Sequence, residues 1–276
     1  MCTLVFTVCV CVPPFVGTFR VSPFALLTYA PRNRIRNNPT IFPLKLALLS
    51  DIHSNLEALT AVLAVVNSRA VDAVYCLGDV VGYGADAATC VNIIRERCAA
   101  VVLGNHDEAV ALERGVKTLP RDGRKAAAYN RRQLNESQRA FLAELPLTVE
   151  AEGCTFVHAT PADPGGWHRL GSYLMAQEQF KYFRTPICFI GHSHVPAVMG
   201  NKLGAVRVRP GVRYLINVGS VGQPRDGDPR ACVAFFDTET FDYELVRVPY
   251  DIGAAATKII NAGLPRRLAK RLYKGA

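Results

Sequence analysis

From Lys45 onward the chain alternates short apolar runs with helical periods, and nothing else in it restricts the fold as strongly. Residues 44–50 form an apolar run ending in a polar turn. Behind Ser54 or Asn55, either of which can cap a helix, Leu56, Leu59, Leu63 and Val66 recur at helical spacing. Residues 71–77 read as a second strand, 86–97 as a second helix and 99–103 as a third strand. This order predicts an α/β sheet with parallel crossovers. Asp51, His53, Asp79, Asn105 and His106 each fall just past a predicted strand. That carboxyl edge is where open α/β sheets bind ligands.

The next segment, 108–145, reads as helical, with 121–142 a single amphipathic helix closed by Pro146. Beyond Thr148 the character changes. Residues 153–158, 187–190, 205–208, 214–218, 232–237 and 243–248 read as strands, with a helix over 173–183. The split predicts two sheets facing each other, each covered outside by helices. Half the residues are apolar and a fifth charged, which excludes disorder for the bulk of the chain. No apolar run reaches about eighteen residues without Pro or charge, so no membrane span is expected.

The first 43 residues follow no such pattern; they hold six prolines and three of the nine cysteines. They read as an atypical extension from a start placed too early, with the functional protein beginning near Leu44. A targeting segment is the alternative, since 3–12 is apolar, but no Lys or Arg precedes that run and no small-x-small cleavage site follows it. Residues 44–276 are expected to form one domain, with a helical cap over the site within 108–145. The odd, scattered cysteines include no Cys-x-x-Cys, which points to a reducing compartment and a cytoplasmic location. The net charge of +9 sits at the ends, +4 in residues 1–43 and +6 after Asp251, leaving the body near neutral. A basic C-terminal helix in solvent explains this better than a nucleic-acid surface, so nucleic acid is not expected as a partner.

Five of the six histidines, His53, His106, His158, His192 and His194, stand at strand ends beside Asp, Asn or Gly. Only His168 lies elsewhere, in a Pro/Gly-rich loop. Imidazole nitrogen with carboxylate oxygen suits first-row divalent metals, and the supply is enough for two ions. Such a pair can clamp both oxygens of a phosphoryl displacement.

The motifs occur in the order Asp51-Ile52-His53, Gly78-Asp79, Gly104-Asn105-His106-Asp107, His158 and Gly191-His192-Ser193-His194. The series resembles the calcineurin-like metallophosphoesterase superfamily, and most of all its small prokaryotic phosphodiesterase-type members. The resemblance implies a four-layer αββα sandwich of two mixed sheets with a dinuclear site at the sheet edges. It implies that Asp51, His53 and His194 hold one metal, that Asn105, His158 and His192 hold the other, and that Asp79 bridges them. The ions would be divalent transition metals, manganese first, with Fe, Ni, Co or Zn as alternatives. A hydroxide bridging the metals would attack phosphorus. His106 would protonate the leaving group or stabilise phosphoryl oxygens, with Asp107 positioning its ring or, alternatively, capping the following helix.

Where protein phosphatases of that superfamily carry Asp-Arg-Gly, this chain has Gly82 and Tyr83 in the Asp-Arg positions, a departure that speaks against that branch. Residues 217–225, Asn-Val-Gly-Ser-Val-Gly-Gln-Pro-Arg, resemble a segment of prokaryotic metallophosphoesterases. Arg225 could hold a phosphate or pair with Asp226 or Asp228, and Tyr83 could line the cleft or merely pack. The expected activity is phosphodiester hydrolysis of a small phosphate ester or nucleotide. Phosphomonoesterase or nucleotide pyrophosphohydrolase activity is the alternative, and a scaffold without catalysis is the remote one.

Overall fold

The first sheet is built on β1 (Lys45–Leu49), flanked by β2 (Ala73–Cys76) and β9 (Ala231–Asp237), in a computed structural model that describes residues 44–202 and 207–276. Those residues lie within the larger of two units into which the chain divides, Ile35–Ala276. The expectations for residues 1–43 fall outside the described residues. The order is β10 (Tyr243–Val248), β9, β1, β2 and β3 (Ala100–Val101). β1, β2 and β3 run parallel, while β9 pairs antiparallel with β1 and β10 antiparallel with β9. The parallel crossovers are α1 (Leu56–Ser68) and α2 (Ala87–Arg97). Asn55 caps α1, its side chain accepting from the Ala58 amide at 3.2 Å.

The second sheet has the order β4 (Thr148–Ala151), β5 (Cys154–Val157), β6 (Ile187–Ile190), β8 (Tyr214–Asn217) and β7 (Ala197–Gly200). Its three middle strands are parallel and its two edges antiparallel. Two mixed five-stranded sheets, flanked by helices, make the four-layer αββα sandwich.

The period-2 alternation of β1 explains how the layers assemble. Leu46 and Leu48 enter the core between the sheets, whereas Ala47 and Leu49 pack against the helices, and all four are fully buried. Phe156 anchors the core between the sheets, stacked on Tyr75 at 4.4 Å and on Phe189 at 5.8 Å. Outside the second sheet, α6 (Tyr173–Gln179) lies near Val157, Cys188 and Leu215 through its buried Ala176.

Several expected elements differ. The helix expected over 121–142 is two helices, α4 (Arg121–Gln133) and α5 (Glu136–Ala143), which follow α3 (Asn105–Ala111). Asn135 starts α5 with a reciprocal cap: its side chain accepts from the Gln138 amide at 2.9 Å, and Gln138 accepts from the Asn135 amide at 3.0 Å. Apolar periodicity runs through this break because both helices bury one face. The strand expected at 205–208 lies partly outside the described residues, and its described part, Arg207 and Val208, is not in a strand. The edge strands β4 and β7 escaped the sequence reading, being half-exposed and only four residues long. Two further helices, α7 (Ile252–Asn261) and α8 (Arg266–Lys274), pack on each other and on Tyr83. Among the described residues no helix is long and apolar enough to cross a membrane.

Candidate metal centre

The carboxyl ends of β1, β2, β5 and β6 converge, and the loops leaving them turn their side chains toward one another. The backbone shows how. Asp51, His53, Asp79, His192 and His194 all have positive φ, between 50° and 64°. This left-handed region is disfavoured for residues with a Cβ, at roughly 1 kcal/mol or more each. The strain is held by bonds between loops: the amides of Asp51 and His53 donate to Gly78 and Asp79 carbonyls at 3.0 and 2.9 Å, and that of Gly222 to Asp51 at 2.9 Å. Gly82, at φ +123°, passes so close that a Cβ there would sit 2.6 Å from His53 Nδ1 and 2.9 Å from His106 Nδ1.

Three donor groups result, each with ligand atoms within 4.8 Å of one another: Asp51 with His53 and His194, Asp79 with His158 and His192, and His53 with Asp79 and His106. Every one of these residues is buried. Asp51 Oδ2 accepts from Ser50 Oγ at 2.7 Å and from the His192 amide at 3.0 Å, while its Oδ1, 3.2 Å from His194 Nε2, has no hydrogen-bond partner. Asp79 Oδ1 accepts from the His106 amide at 2.8 Å, and Oδ2 lies 3.6 Å from His53 Nε2 and 3.4 Å from His158 Nε2. Asn105, the first residue of α3, likewise has a buried Oδ1 without a partner.

The tautomers test whether cations fit. A carbonyl can only accept, so a ring nitrogen bonded to one carries the proton. Val81 O holds His53 Nδ1 at 3.2 Å, Gln223 O holds His194 Nδ1 at 2.5 Å, Leu77 O holds His158 Nδ1 at 2.6 Å and Trp167 O holds His192 Nε2 at 2.9 Å. In neutral rings the remaining nitrogens are lone pairs, and they face each other: His53 Nε2 and His194 Nε2 at 3.0 Å, His158 Nε2 and His192 Nδ1 at 3.2 Å. Two lone pairs at that separation beside a carboxylate repel unless a positive charge lies between them. The residues present therefore fit two cations, each with its second-layer carbonyls in place.

Electrostatics agree. The two carboxyls are buried, which alone would raise them, but His194 and His158 respectively hold Asp51 and Asp79 well below the usual range. Burial pulls His192 down to about 3 and His194 down to about 4. Burial opposes charge on His158 too, yet Asp79 and Asp51 outweigh it and lift the ring to about 9. Positive charge is thus favoured beside the carboxylates: without a cation it is a proton on His158 Nε2, which a metal ion binding there would displace.

His106 is buried with its Nδ1 unpartnered, its ring 4.8 Å from that of His53 and 4.5 Å from Tyr83. Burial pulls it down to about 3, against the pull of Asp79. Asp107 does not touch that ring: its carboxylate accepts from the amides of Val81 at 3.0 Å and Gly104 at 3.2 Å, closing the first turn of α3 and tying it to the β2 loop. This is the arrangement of the capping alternative, in which amides left free at a helix start satisfy a buried carboxylate. Tyr83 both packs and lines the site, 4.6 Å from the His53 ring. Arg225 pairs with neither neighbouring acid: Asp226 binds Arg247, and Asp228 binds Arg230. Its guanidinium instead lies 5.6 Å from the Tyr83 ring centroid and donates to Gln223 Oε1 at 3.1 Å. His168 is exposed beside Asp163, 3.3 Å away, as a loop residue.

Two supports escaped the sequence reading. Asn130 of α4, fully buried, accepts from the Gly82 amide at 2.6 Å and donates to Gly84 O at 3.0 Å, fixing the loop that carries Tyr83. An Asn in register with Ala126 and Ala127 on an apolar helix face was its one visible signal. Trp167 holds His192 through a backbone carbonyl, and its Nε1 donates to Glu108 Oε2 at 2.9 Å. A carbonyl contact leaves no trace in residue type.

A helix-flanked two-sheet sandwich that gathers histidines and carboxylates at the ends of its strands defines the class. The chain belongs to the calcineurin-like phosphoesterase superfamily, whose domain matches residues 44–241. The uncharacterized protein MJ0912 of Methanocaldococcus jannaschii is 40% identical over 240 residues, spanning 83% of this chain and 98% of its own. The crystal structure of a metallophosphoesterase from Sphaerobacter thermophilus is similar with a TM-score of 0.75 at 33% identity, over 85% of this chain and 100% of that one. The hypothetical protein PH1004 from Pyrococcus horikoshii OT3 shares the fold, with a TM-score of 0.73 at 21% identity, over 84% and 98%.

Metal addition provides a direct check. A ligand that binds only the folded state at about 100-fold above its Kd adds about 2.7 kcal/mol. For a domain of this size that raises Tm by roughly 5–10 °C. Manganese added to chelator-treated protein is expected to produce a rise of this order, reversed by chelator. An unchanged melt with Mn, Fe, Co, Ni and Zn alike would contradict the reading of the facing imidazoles.

Proposed function

We propose that this chain is a metal-dependent phosphodiesterase. The facing imidazole lone pairs of His53 with His194 and His158 with His192, each beside a carboxylate, are the observation that carries it. Asp51, His53 and His194 would hold one divalent cation, Asn105, His158 and His192 the second, and Asp79 would contact both. When bound, the cations polarise the phosphoryl oxygens and lower the pKa of a water to supply the nucleophile. Manganese is the first candidate, with other first-row ions tolerated by the same donors.

The remaining groups act on the substrate. His106, neutral because it is buried, donates a hydrogen bond to a phosphoryl oxygen or to the leaving oxygen. Asp107 acts through the backbone, holding the first turn of α3 so that Asn105 and His106 point into the site. Arg225, free of its neighbouring carboxylates, is available to the phosphate, and Tyr83 supplies the cleft wall between it and the two histidines. The helical segment 108–145 closes one side, since Gly123 of α4 lies against His106 and Tyr83.

Hydrolysis of bis-p-nitrophenyl phosphate and p-nitrophenyl phosphate, measured side by side on metal-reloaded protein, tests the reading. Metal-dependent turnover favouring the diester is the expected result. Preference for the monoester would replace it with a phosphomonoesterase, and absence of turnover with every metal would overturn it.

A further inference from the structure

The basic C-terminal helix is not simply a solvated face. α8 buries Leu268, Ala269 and Leu272 in a cluster that includes Tyr83 of the candidate site, Ala126 of α4, and Ala255, Ala256 and Ile259 of α7. Its last turn is fastened to the loop that carries Arg225. The Gly227 amide donates to Gly275 O at 2.9 Å, and Gly275, at φ +59°, lies so close to the Asp228 backbone that a Cβ would come within 2.7 Å of it. The Arg225 loop and the turn bearing Arg271 are therefore held as one piece.

This arrangement brings together two arginines without acidic partners. The Arg225 amide donates to His194 O at 3.2 Å, and its guanidinium lies 5.6 Å from the Tyr83 ring, whose other neighbours are His53 and His106. Its buried Nε has no hydrogen-bond partner. Arg271 is half-buried and within electrostatic reach of Arg225, Arg267 and Tyr83; burial and then Arg225 hold its guanidinium below the ordinary value. The carboxylate facing it is Asp122, in the first turn of α4, and no ion pair joins the two among the described residues. Other arginines nearby do pair: Arg247 with Asp226, and Arg230 with Asp228. Two partly desolvated guanidiniums within electrostatic reach of each other repel, and an anion placed between them relieves that cost. The start of α4 adds to the field. Its N-cap is Pro120, which makes no side-chain cap, and Gly123 in its first turn is packed against His106 and Tyr83.

We propose that Arg271 and Arg225 form a second anion subsite beside the metal centre, and that the substrate carries at least one phosphate beyond the one that is cleaved. The proposal rests on the phosphoesterase reading for the identity of the first phosphate. It narrows the substrate class to small phosphodiesters that carry a further phosphate group, whose scissile phosphorus would meet the cations while the further phosphate meets the arginines. It also gives the positive charge of the C-terminus a local purpose that does not need nucleic acid.

The test is calorimetric titration of the full chain with tripolyphosphate and with orthophosphate. It is run on metal-stripped protein and again on loaded protein with free metal in excess, so that chelation cannot empty the site. The expected result is tripolyphosphate binding at least about tenfold tighter than orthophosphate, and a loss of about tenfold or more in Arg271→Ala. Arg271→Lys, which retains the charge but not the fork, is expected to lie between the two. Lys270→Ala, an exposed neighbour on the same helix, is expected to change binding less than about twofold. Equal weak binding of both anions, or equal losses in the Arg271 and Lys270 variants, would overturn the subsite. Thermal melts confirm that each variant is folded. Because the metal-stripped arm needs no turnover, failure of the phosphodiesterase assay and failure of the anion subsite are separate outcomes.

Discussion

Asp79→Asn is expected to lower metal-dependent turnover by about a thousandfold or more while leaving the chain folded. Asn is the substitution best suited to the site, since Asp79 has φ 52° and Asn tolerates the left-handed region. Its retained Oδ1 can still accept from the His106 amide, as the native oxygen does at 2.8 Å. What changes is the other atom. Asp79 Oδ2 faces the lone-pair nitrogens of His53 and His158 at 3.6 and 3.4 Å. An amide NH2 there donates to those nitrogens and occupies the direction from which they would bind a cation. The loss of several kcal/mol of charge stabilisation in the transition state corresponds to the stated factor, at about 1.4 kcal/mol per tenfold. The metal-induced rise in Tm should shrink in the same variant. Wild-type turnover together with an unchanged metal shift would show that Asp79 does not contact the cations.

His106→Ala should behave differently. Loss of a positioned hydrogen-bond donor to the charge that develops in the transition state costs about a hundred- to a thousandfold in kcat, with the metal-induced rise in Tm retained. The distinction matters because His106 also falls within ligand distance of His53 and Asp79. If it were a ligand, its removal would reduce the metal response as well as the rate. Its backbone amide bond to Asp79 survives the substitution, so Asp79 keeps its orientation. The ring does pack against Tyr83 and His53, and its loss is expected to cost some stability. The melt of the metal-free variant separates that contribution from the catalytic one.

Much of this candidate site was legible in the sequence because its donor residues are marked by both type and position. Asp51, His53, Asp79, Asn105, His158, His192 and His194 all follow short apolar runs, and strand ends on one side of parallel sheets must lie at one edge. The two-sheet sandwich followed from the same alternation, since β1 shows the unbroken apolar run of a strand buried on both faces. Boundaries that depend on a single capping residue were missed. Asn135 splits one expected helix in two without disturbing its apolar period, and the short half-exposed strands β4 and β7 leave no clear pattern.

What the sequence determined by itself is the inventory: which donors exist, that they are histidine and carboxylate, and that strand ends deliver them to a common edge. Only the tertiary structure decided how each donor is aimed. The positive φ angles of Asp51, His53, Asp79, His192 and His194 exist because loops distant in sequence hold them there, and the carbonyls of Val81, Gln223, Leu77 and Trp167 choose the tautomer of four rings. The assignment of partners was likewise a three-dimensional matter. Asp107 went to backbone amides and Asp226 to Arg247, leaving Arg225 without an acidic partner and within electrostatic reach of Arg271. Residue type sets what a group can bind. Its partner is chosen by competition among all groups within reach, and that reach is set by the packing of β-strands and helices far apart along the chain.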